Sequence, residues 1–232
     1  MSDIYLPGRA SSPPGGFLSG SGQAGRSALD GVLKRCIDIL GAGALLLLIL
    51  PIMLLIVWIV RRDGGPILFR HTRVGLGGRT FPCLKFRSMV MDADKRLAEL
   101  LAADPAAAEE WATRRKLARD PRITRIGALL RRTSLDELPQ LLNVLRGEMS
   151  LVGPRPVVRE ELDLHYSPSA ADAYCGMRPG ITGLWQISGR SDTTYAERVA
   201  LDTRYARGWS LRFDIQILLR TIPAVLKRRG AV

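Results

Sequence analysis

Two adjacent carboxylates, Asp136 and Glu137, stand inside the segment SLDELPQLLNVLRGEMSLVGPRP at residues 134–156. Arg131 and Arg132 come shortly before them, and Arg155 follows in a Pro-Arg-Pro setting. Leu138, Leu141, Leu142 and Leu145 recur at helical spacing and Gly147 supplies a stop, so the acids fall at the start of an expected helix. Acids suit the positive end of a helix, and Ser134 three residues before Glu137 has the spacing of a capping box. That structural role explains such a pair in most sequences. Here the arginines add a second meaning, because a helix start with guanidinium groups around it is an anion site. Two carboxylates belong in such a site when a divalent cation joins them to a phosphate. The helix end is also expected to keep Asp136 ionised and therefore nucleophilic.

Other chemistries are poorly supplied. With only His71 and His165, a histidine triad or histidine metal cage is not expected. Cys36, Cys83 and Cys175 form no CxxC pair, which argues against a zinc site or disulfide framework. GLGG at residues 75–78 lacks the Lys-Ser/Thr and the following helix of a P-loop, and reads as a hairpin turn. The loop Arg178-Pro179-Gly180-Ile181-Thr182-Gly183 offers amides and a hydroxyl to a nucleotide or sugar, and equally reads as an ordinary turn.

The elements that must carry these residues follow from pattern. Residues 1–30, rich in Gly, Ser and Pro, read as a flexible tail. From Ile39 to Val60 no charge occurs, a run long enough to cross the ~30 Å bilayer core as a helix. Lys34 and Arg35 precede it and Arg61 and Arg62 follow it, so the positive-inside rule gives no direction. Pro51 near its middle should kink a helix at a cost of about 3 kcal/mol. Spanning and re-entrant readings are thus both open on physical grounds. Residues 66–89 read as a β-hairpin, 92–119 as two helices broken at Asp104-Pro105, and ITRIGALLRRT as another helix. Residues 213–226 mix apolar positions with basic ends and suit an anionic membrane surface.

The net charge of +12, from 34 basic and 22 acidic side chains, calls for a polyanionic partner. Lysine stands only at 34, 85, 95, 116 and 227, so arginine, with its phosphate-gripping fork, dominates the basic set. A nucleic-acid binder would explain the charge, but no helix-turn-helix, zinc finger or RNA motif occurs, and aromatics are sparse at 6%. A nonenzymatic membrane scaffold would explain the apolar run but not the clustered arginines and paired acids.

From about Lys34 to the C-terminus the chain resembles the bacterial sugar transferase family of monotopic phosphoglycosyl transferases. The resemblance is carried in order by KRCIDI with the apolar run, FRHTRVG, LKFRSM, TRIGALLRRTSLDELPQLLNVLRGEMSLVGPRP and RPGITGLWQISGR. It implies a mainly helical α+β fold, with a small β-hairpin and amphipathic surface helices. The implied organisation is a tail at 1–30, a re-entrant membrane helix at 31–62 and a cytosolic catalytic domain at 63–232. Leu50-Pro51 replaces the Ser-Pro common at the family's helix break, so no serine hydroxyl serves the freed backbone.

The resemblance also implies transfer of hexose-1-phosphate from a UDP-sugar to undecaprenyl phosphate, with UMP released. Galactose is slightly favoured over glucose by the C-terminal segment. Asp136 matches the nucleophile, and Glu137 its partner in Mg²⁺ coordination or proton handling. Arg131 and Arg155 match phosphate-steadying positions, and Lys85, Arg87, Arg178 and Thr182 complete the expected phosphate and substrate contacts. The setting implied is the cytoplasmic face of the bacterial inner membrane. UDP-sugar, undecaprenyl phosphate and membrane lipids are the expected partners, with a second copy of the chain as an option and no nucleic acid.

Overall fold

The computed structural model describes residues 28–62, 64–114, 117–188 and 193–226. The expected tail thus falls almost wholly outside the described residues. The first helix, α1 (Ala28–Arg61), begins three residues before the expected boundary and runs through Pro51 as one element. Its side chains divide into two long stripes. Asp38, Ala42, Met53, Ile56 and Val60 are buried against the rest of the chain, with Leu46 and Ile49 partly buried between them. Leu40, Leu47, Leu48, Leu50, Leu54, Leu55 and Trp58 are exposed on the other side. From Lys34 to Val60 the docked stripe covers about 39 Å at 1.5 Å per residue. Each exposed large side chain forgoes roughly 1.5–3 kcal/mol by facing water.

The hairpin forms as its pattern predicts. Strands β1 (Leu68–Val74) and β2 (Thr80–Phe86) pair antiparallel, with Phe69 opposite Lys85, His71 opposite Cys83 and Arg73 opposite Phe81. Its glycine turn is tied to the protein itself: Arg159 donates to the Gly78 carbonyl at 2.7 Å. Next come α2 (Ala93–Ala103) and α3 (Pro105–Arg114), broken at Asp104, whose carboxylate accepts from the Ala106 and Ala107 amides. α4 (Arg125–Thr133) starts where the Thr124 hydroxyl accepts from the Gly127 amide. A Cβ on Gly127 would fall 1.9 Å from the Ser88 carbonyl oxygen, so glycine lets this helix press against the end of the hairpin.

The segment after α4 departs from expectation. No capping box forms at Ser134, which has φ 56° in the left-handed region and makes no side-chain cap. A single 3-10 turn over Leu135–Glu137 follows, and α5 (Gln140–Arg146) begins only after Pro139, which has no amide to donate. Gly147, at φ 84°, ends α5 as expected.

β3 (Ser150–Val152) and β4 (Gly180–Thr182) form a two-stranded parallel sheet that the sequence pattern did not reveal. Between them lie α6 (Arg159–His165) and α7 (Pro168–Cys175). The strands meet backbone to backbone: a Cβ on Gly180 would lie 2.0 Å from the Gly153 nitrogen. The fold closes with α8 (Leu184–Ile187), α9 (Tyr195–Arg207) and α10 (Leu211–Leu226). α10 buries Asp214 and Ile217 while exposing Ile215, Leu219 and Ile222 at helical spacing. The segment at 213–226 is thus part of a helix with apolar side chains on both a buried and an exposed face. One core joins α1, β2 and α4; others join α1 to the hairpin and α5, and β3 to α8–α10. The cysteines are free.

Candidate active site

Lys85 projects from β2 toward the 3-10 turn, placing its Nζ 2.5 Å from Glu137 Oε1 and 3.8 Å from Asp136 Oδ2. Burial lowers the affinity of this ammonium for its proton, but the carboxylates of Glu137 and Asp136 more than reverse that, so Lys85 stays charged. Asp136 is buried, at 7% exposure. Burial is the largest influence on its carboxyl and pushes the pKa up; Glu137 adds to the rise, while Lys85 and Arg131 oppose it. The expected source of its ionisation is therefore corrected, because no α-helix start lies at Asp136. Asp136 sits in a 3-10 turn rather than at the start of α5, and desolvation of the charged form outweighs the local dipoles. Its counter-charges must come from side chains. Arg131, on α4, supplies one, its Nε donating to Ser88 Oγ at 2.8 Å at the seam that Gly127 permits.

A second polar cluster lies farther along the same hairpin. Arg155 leaves the β3 end with its backbone amide donating to Asp202 Oδ1 at 3.2 Å and its Nη1 donating to Glu161 Oε2 at 3.1 Å. It also lies 5.7 Å from the centre of the Trp185 ring. Arg73 Nη1 is buried without a hydrogen-bond acceptor, with Glu161 Oε2 at 3.9 Å, while its Nη2 donates to His71 Nδ1 at 2.9 Å. His71 must then accept at Nδ1 in its neutral form, and burial first, then Arg73 and Lys85, push its pKa down. Two guanidinium groups thus share the Glu161 carboxylate, and burial first, then the charge of Arg155, lower the pKa of Arg73.

Of the residues expected at the site, Asp136, Glu137, Lys85 and Arg131 are brought together, and Arg155 belongs to the second cluster. Three others point elsewhere. Arg87 is buried and donates to the Val60 carbonyl at the end of α1, 3.0 Å away. Arg178 donates to the Gly147 carbonyl at 2.8 Å, holding the end of α5. The Thr182 hydroxyl pairs with that of Thr221 on α10 at 2.8 Å. The residue reading missed Arg73, Glu161 and Asp202. Arg73 was accessible, because alternation along β1 sets Phe69, His71 and Arg73 on the face whose cross-strand partner is Lys85.

The loop bearing Arg155 is braced from three elements at once. Lys34 Nζ and the Tyr205 hydroxyl both donate to the Val152 carbonyl at 3.0 Å, and both also bond Asp214. Asp38 on α1 accepts from Ser150 Oγ and the Leu151 amide, each at 2.9 Å. Asp202, 1% exposed, also accepts from the Tyr166 hydroxyl at 3.1 Å; burial carries its pKa to about 7 despite those hydrogen bonds.

This constellation offers a buried carboxylate between two cations, with a second, arginine-bearing cluster farther along the same hairpin. That is equipment for displacement at phosphorus, where alignment and neutralisation of oxygen charge dominate catalysis.

Comparison with known proteins agrees. The chain is 53% identical over 204 residues to the exopolysaccharide production protein ExoY of Sinorhizobium fredii, covering 88% of this chain and 89% of that one. It is 51% identical over 199 residues to the undecaprenyl-phosphate galactose phosphotransferase of Salmonella typhimurium, covering 86% of this chain and 41% of that longer protein. With the UDP-glucose:undecaprenyl-phosphate glucose-1-phosphate transferase of Caulobacter vibrioides it shares 42% identity over 226 residues, 94% of this chain and 76% of the other. The family described as bacterial sugar transferase matches residues 29–228. With that match spanning nearly all described residues and the carboxylate–cation site at its centre, the chain is a transferase enzyme belonging to the bacterial sugar transferase family.

Proposed function

We propose that this enzyme transfers hexose-1-phosphate from a UDP-sugar to undecaprenyl phosphate, starting exopolysaccharide assembly at the cytoplasmic face of the bacterial inner membrane. The observation that carries the reading is Asp136, a buried carboxylate with Lys85 and Arg131 as counter-charges. In the first step an Asp136 oxygen attacks the β-phosphorus of the UDP-sugar. The bond from that phosphorus to the bridging oxygen breaks, and UMP leaves with the oxygen. In the second step an oxygen of undecaprenyl phosphate attacks the phosphorus of the aspartyl phosphosugar. The acyl-phosphate bond breaks and the Asp136 carboxylate is restored. Splitting the transfer lets one pocket serve donor and acceptor in turn. Arg73 and Arg155 supply a place for the donor's second phosphate.

Among the described residues no group of three or more His, Cys, Asp or Glu forms a metal cage. The carboxylates of Asp136 and Glu137 are an oxygen set of the kind Mg²⁺ shares with waters and substrate phosphates, and Lys85 would have to turn aside from Glu137 to admit it. When bound there, Mg²⁺ would neutralise charge on the phosphate oxygens. The relatives named for galactose or galactosyl transfer are 44–53% identical to this chain and those named for glucose 40–42%, which favours galactose.

Membrane seating follows from α1. One continuous domain covers its inner stripe from Lys34 to Val60, so a spanning helix would pull that polar domain through the lipid. The geometry supports a monotopic seating, with both ends of α1 on the cytoplasmic side and its outer leucines in one leaflet. The outer stripe of α10, Ile215, Leu219 and Ile222, suits the same lipid surface.

The test is mass spectrometry of the enzyme mixed with UDP-galactose and Mg²⁺ without lipid acceptor. A hexose-phosphate mass is expected on the peptide carrying Asp136, and Asp136→Asn should abolish both the adduct and UMP release. Glu137→Gln should leave slow turnover that responds to added Mg²⁺. An adduct on another residue, or full activity in folded Asp136→Asn, would refute the mechanism.

A further inference from the structure

An open apolar groove of about 690 Å³ lies between the C-terminal half of α1 and the entrance of the hairpin. Met53 and Val57 form one wall, Leu68 and Phe69 the other, and Pro139 and Leu142 the end. Arg70 is the single charged residue on its lining. We propose that this groove receives the first isoprene units of the polyprenyl phosphate acceptor, with its phosphate end directed to Lys85 beyond Phe69 and with Arg70, on the other face of β1, as the one charge on the groove's lining. The inference rests on the function proposed above and assigns the site at which its second substrate is held.

Three observations carry it. The groove leads to the reacting centre, because Phe69 is the cross-strand neighbour of Lys85 and Pro139 stands two residues after Glu137. Its chemistry is that of a hydrocarbon chain ending in an anion: the lining is apolar except at Arg70, which is exposed and has no carboxylate partner among the described residues. Its α1 wall adjoins the exposed stripe of Leu50, Leu54, Leu55 and Trp58, so a chain can enter from lipid without its apolar part crossing water.

The donor cluster lies in the other direction along the strand. Arg73 is four residues from Phe69, about 13 Å at 3.3 Å per residue. Donor diphosphate and acceptor chain therefore approach Asp136 from opposite ends of one hairpin. The volume falls in the range of small-ligand sites, roughly 300–1,000 Å³, enough for the start of a long polyprenyl chain while the remainder stays in the bilayer.

The experiment uses the full chain in phosphatidylglycerol-containing nanodiscs, with an undecaprenyl phosphate analogue bearing a diazirine in its first isoprene units. Cross-links are expected within residues 66–70 and 139–142, competed by undecaprenyl phosphate and not by excess phosphatidylglycerol. Leu142→Trp and Val57→Trp fill the groove from two sides. Each should form the hexose-phosphate adduct from UDP-galactose within twofold of the wild-type rate, yet pass it to undecaprenyl phosphate at least tenfold more slowly. Cross-links confined to the outer stripe of α1 or to α10, equal competition by phosphatidylglycerol, or near-normal transfer by both folded variants would each overturn the proposal. If the wild-type protein gave no adduct or UMP, the transferase reading would fall instead, while the cross-link map would still report whether the groove takes a polyprenyl phosphate.

Discussion

Replacing Asp202 by asparagine should remove a pH dependence from the stability of the protein. Asp202 is buried beneath the Arg155 loop, and its pKa rises from an ordinary 3.8 to about 7. Burial is the main cause; the Arg155 amide, the Tyr166 hydroxyl and the charges of Arg155 and Arg198 oppose it without winning. Between those two values the folded protein holds a proton that the unfolded chain has lost, so stability falls as pH rises through the window and levels off above the folded pKa. At about 1.4 kcal/mol per unit, the loss between pH 5 and pH 8 comes to roughly 2.5 kcal/mol. For a chain of this size that is about 5–10 °C in Tm. Asparagine keeps an acceptor for the Arg155 amide and cannot ionise, so Asp202→Asn should lack that share of the slope. The assay is thermal unfolding of both proteins in the same nanodiscs from pH 5 to pH 8, read as their difference, which cancels His71 and other shared titrations. Parallel curves would refute the reasoning.

Arg73→Lys and Arg155→Lys keep the charge but lose the fork, so each should raise the KM for UDP-sugar about tenfold or more in protein that still binds membrane; unchanged donor kinetics would remove Arg73 and Arg155 from the donor pocket. Cysteines placed at residues 30 and 64 should both be shielded from a periplasmic thiol reagent in intact cells, and labelling of either one alone would overturn the monotopic seating. Gly180→Ala must displace the Gly153 backbone, 2.0 Å from the new Cβ, and should cost about 1–3 kcal/mol with a matching drop in Tm; an unchanged Tm would mean that the two loops yield freely.

Local pattern revealed the elements whose cause is local. The turn at residues 75–78, the break at Asp104-Pro105 and the stop at Gly147 each follow from the backbone preferences of a few adjacent residues, and each is where the sequence places it. The turn carrying Asp136 is different. A Ser-x-x-Glu spacing suits a capping box, but Ser134 is already committed to ending α4, so its side chain never turns to cap the next helix. β3 and β4 escaped notice because three-residue strands carry almost no periodicity, and their pairing joins residues thirty apart. The direction of Asp136's titration was likewise invisible: burial is a property of the packed site, and α4, β2 and the 3-10 turn must meet before it exists. Arg87 and Arg178 illustrate the limit from the other side. An arginine beside phosphate-binding motifs reads as a ligand contact, and carbonyl groups at helix ends, which Arg87 and Arg178 meet in this fold, make the same demand on a guanidinium.

The bracing of the Arg155 loop by Lys34, Asp38 and Tyr205 has a practical consequence for anyone wishing to make a soluble form of this enzyme. Lys34 and Asp38 lie on the helix that such an engineer would discard, yet they hold the strand from which Arg155 emerges. Cutting before the hairpin would strip Ala42, Met53, Ile56 and Val60 from two cores and leave Asp214 without its 2.6 Å cation. Helix α1 is therefore a structural member of the unit that carries the site. A better route to solubility keeps α1 whole and recolours its outer face, replacing Leu47, Leu48, Leu54 and Leu55 with polar helix formers while the inner stripe stays untouched.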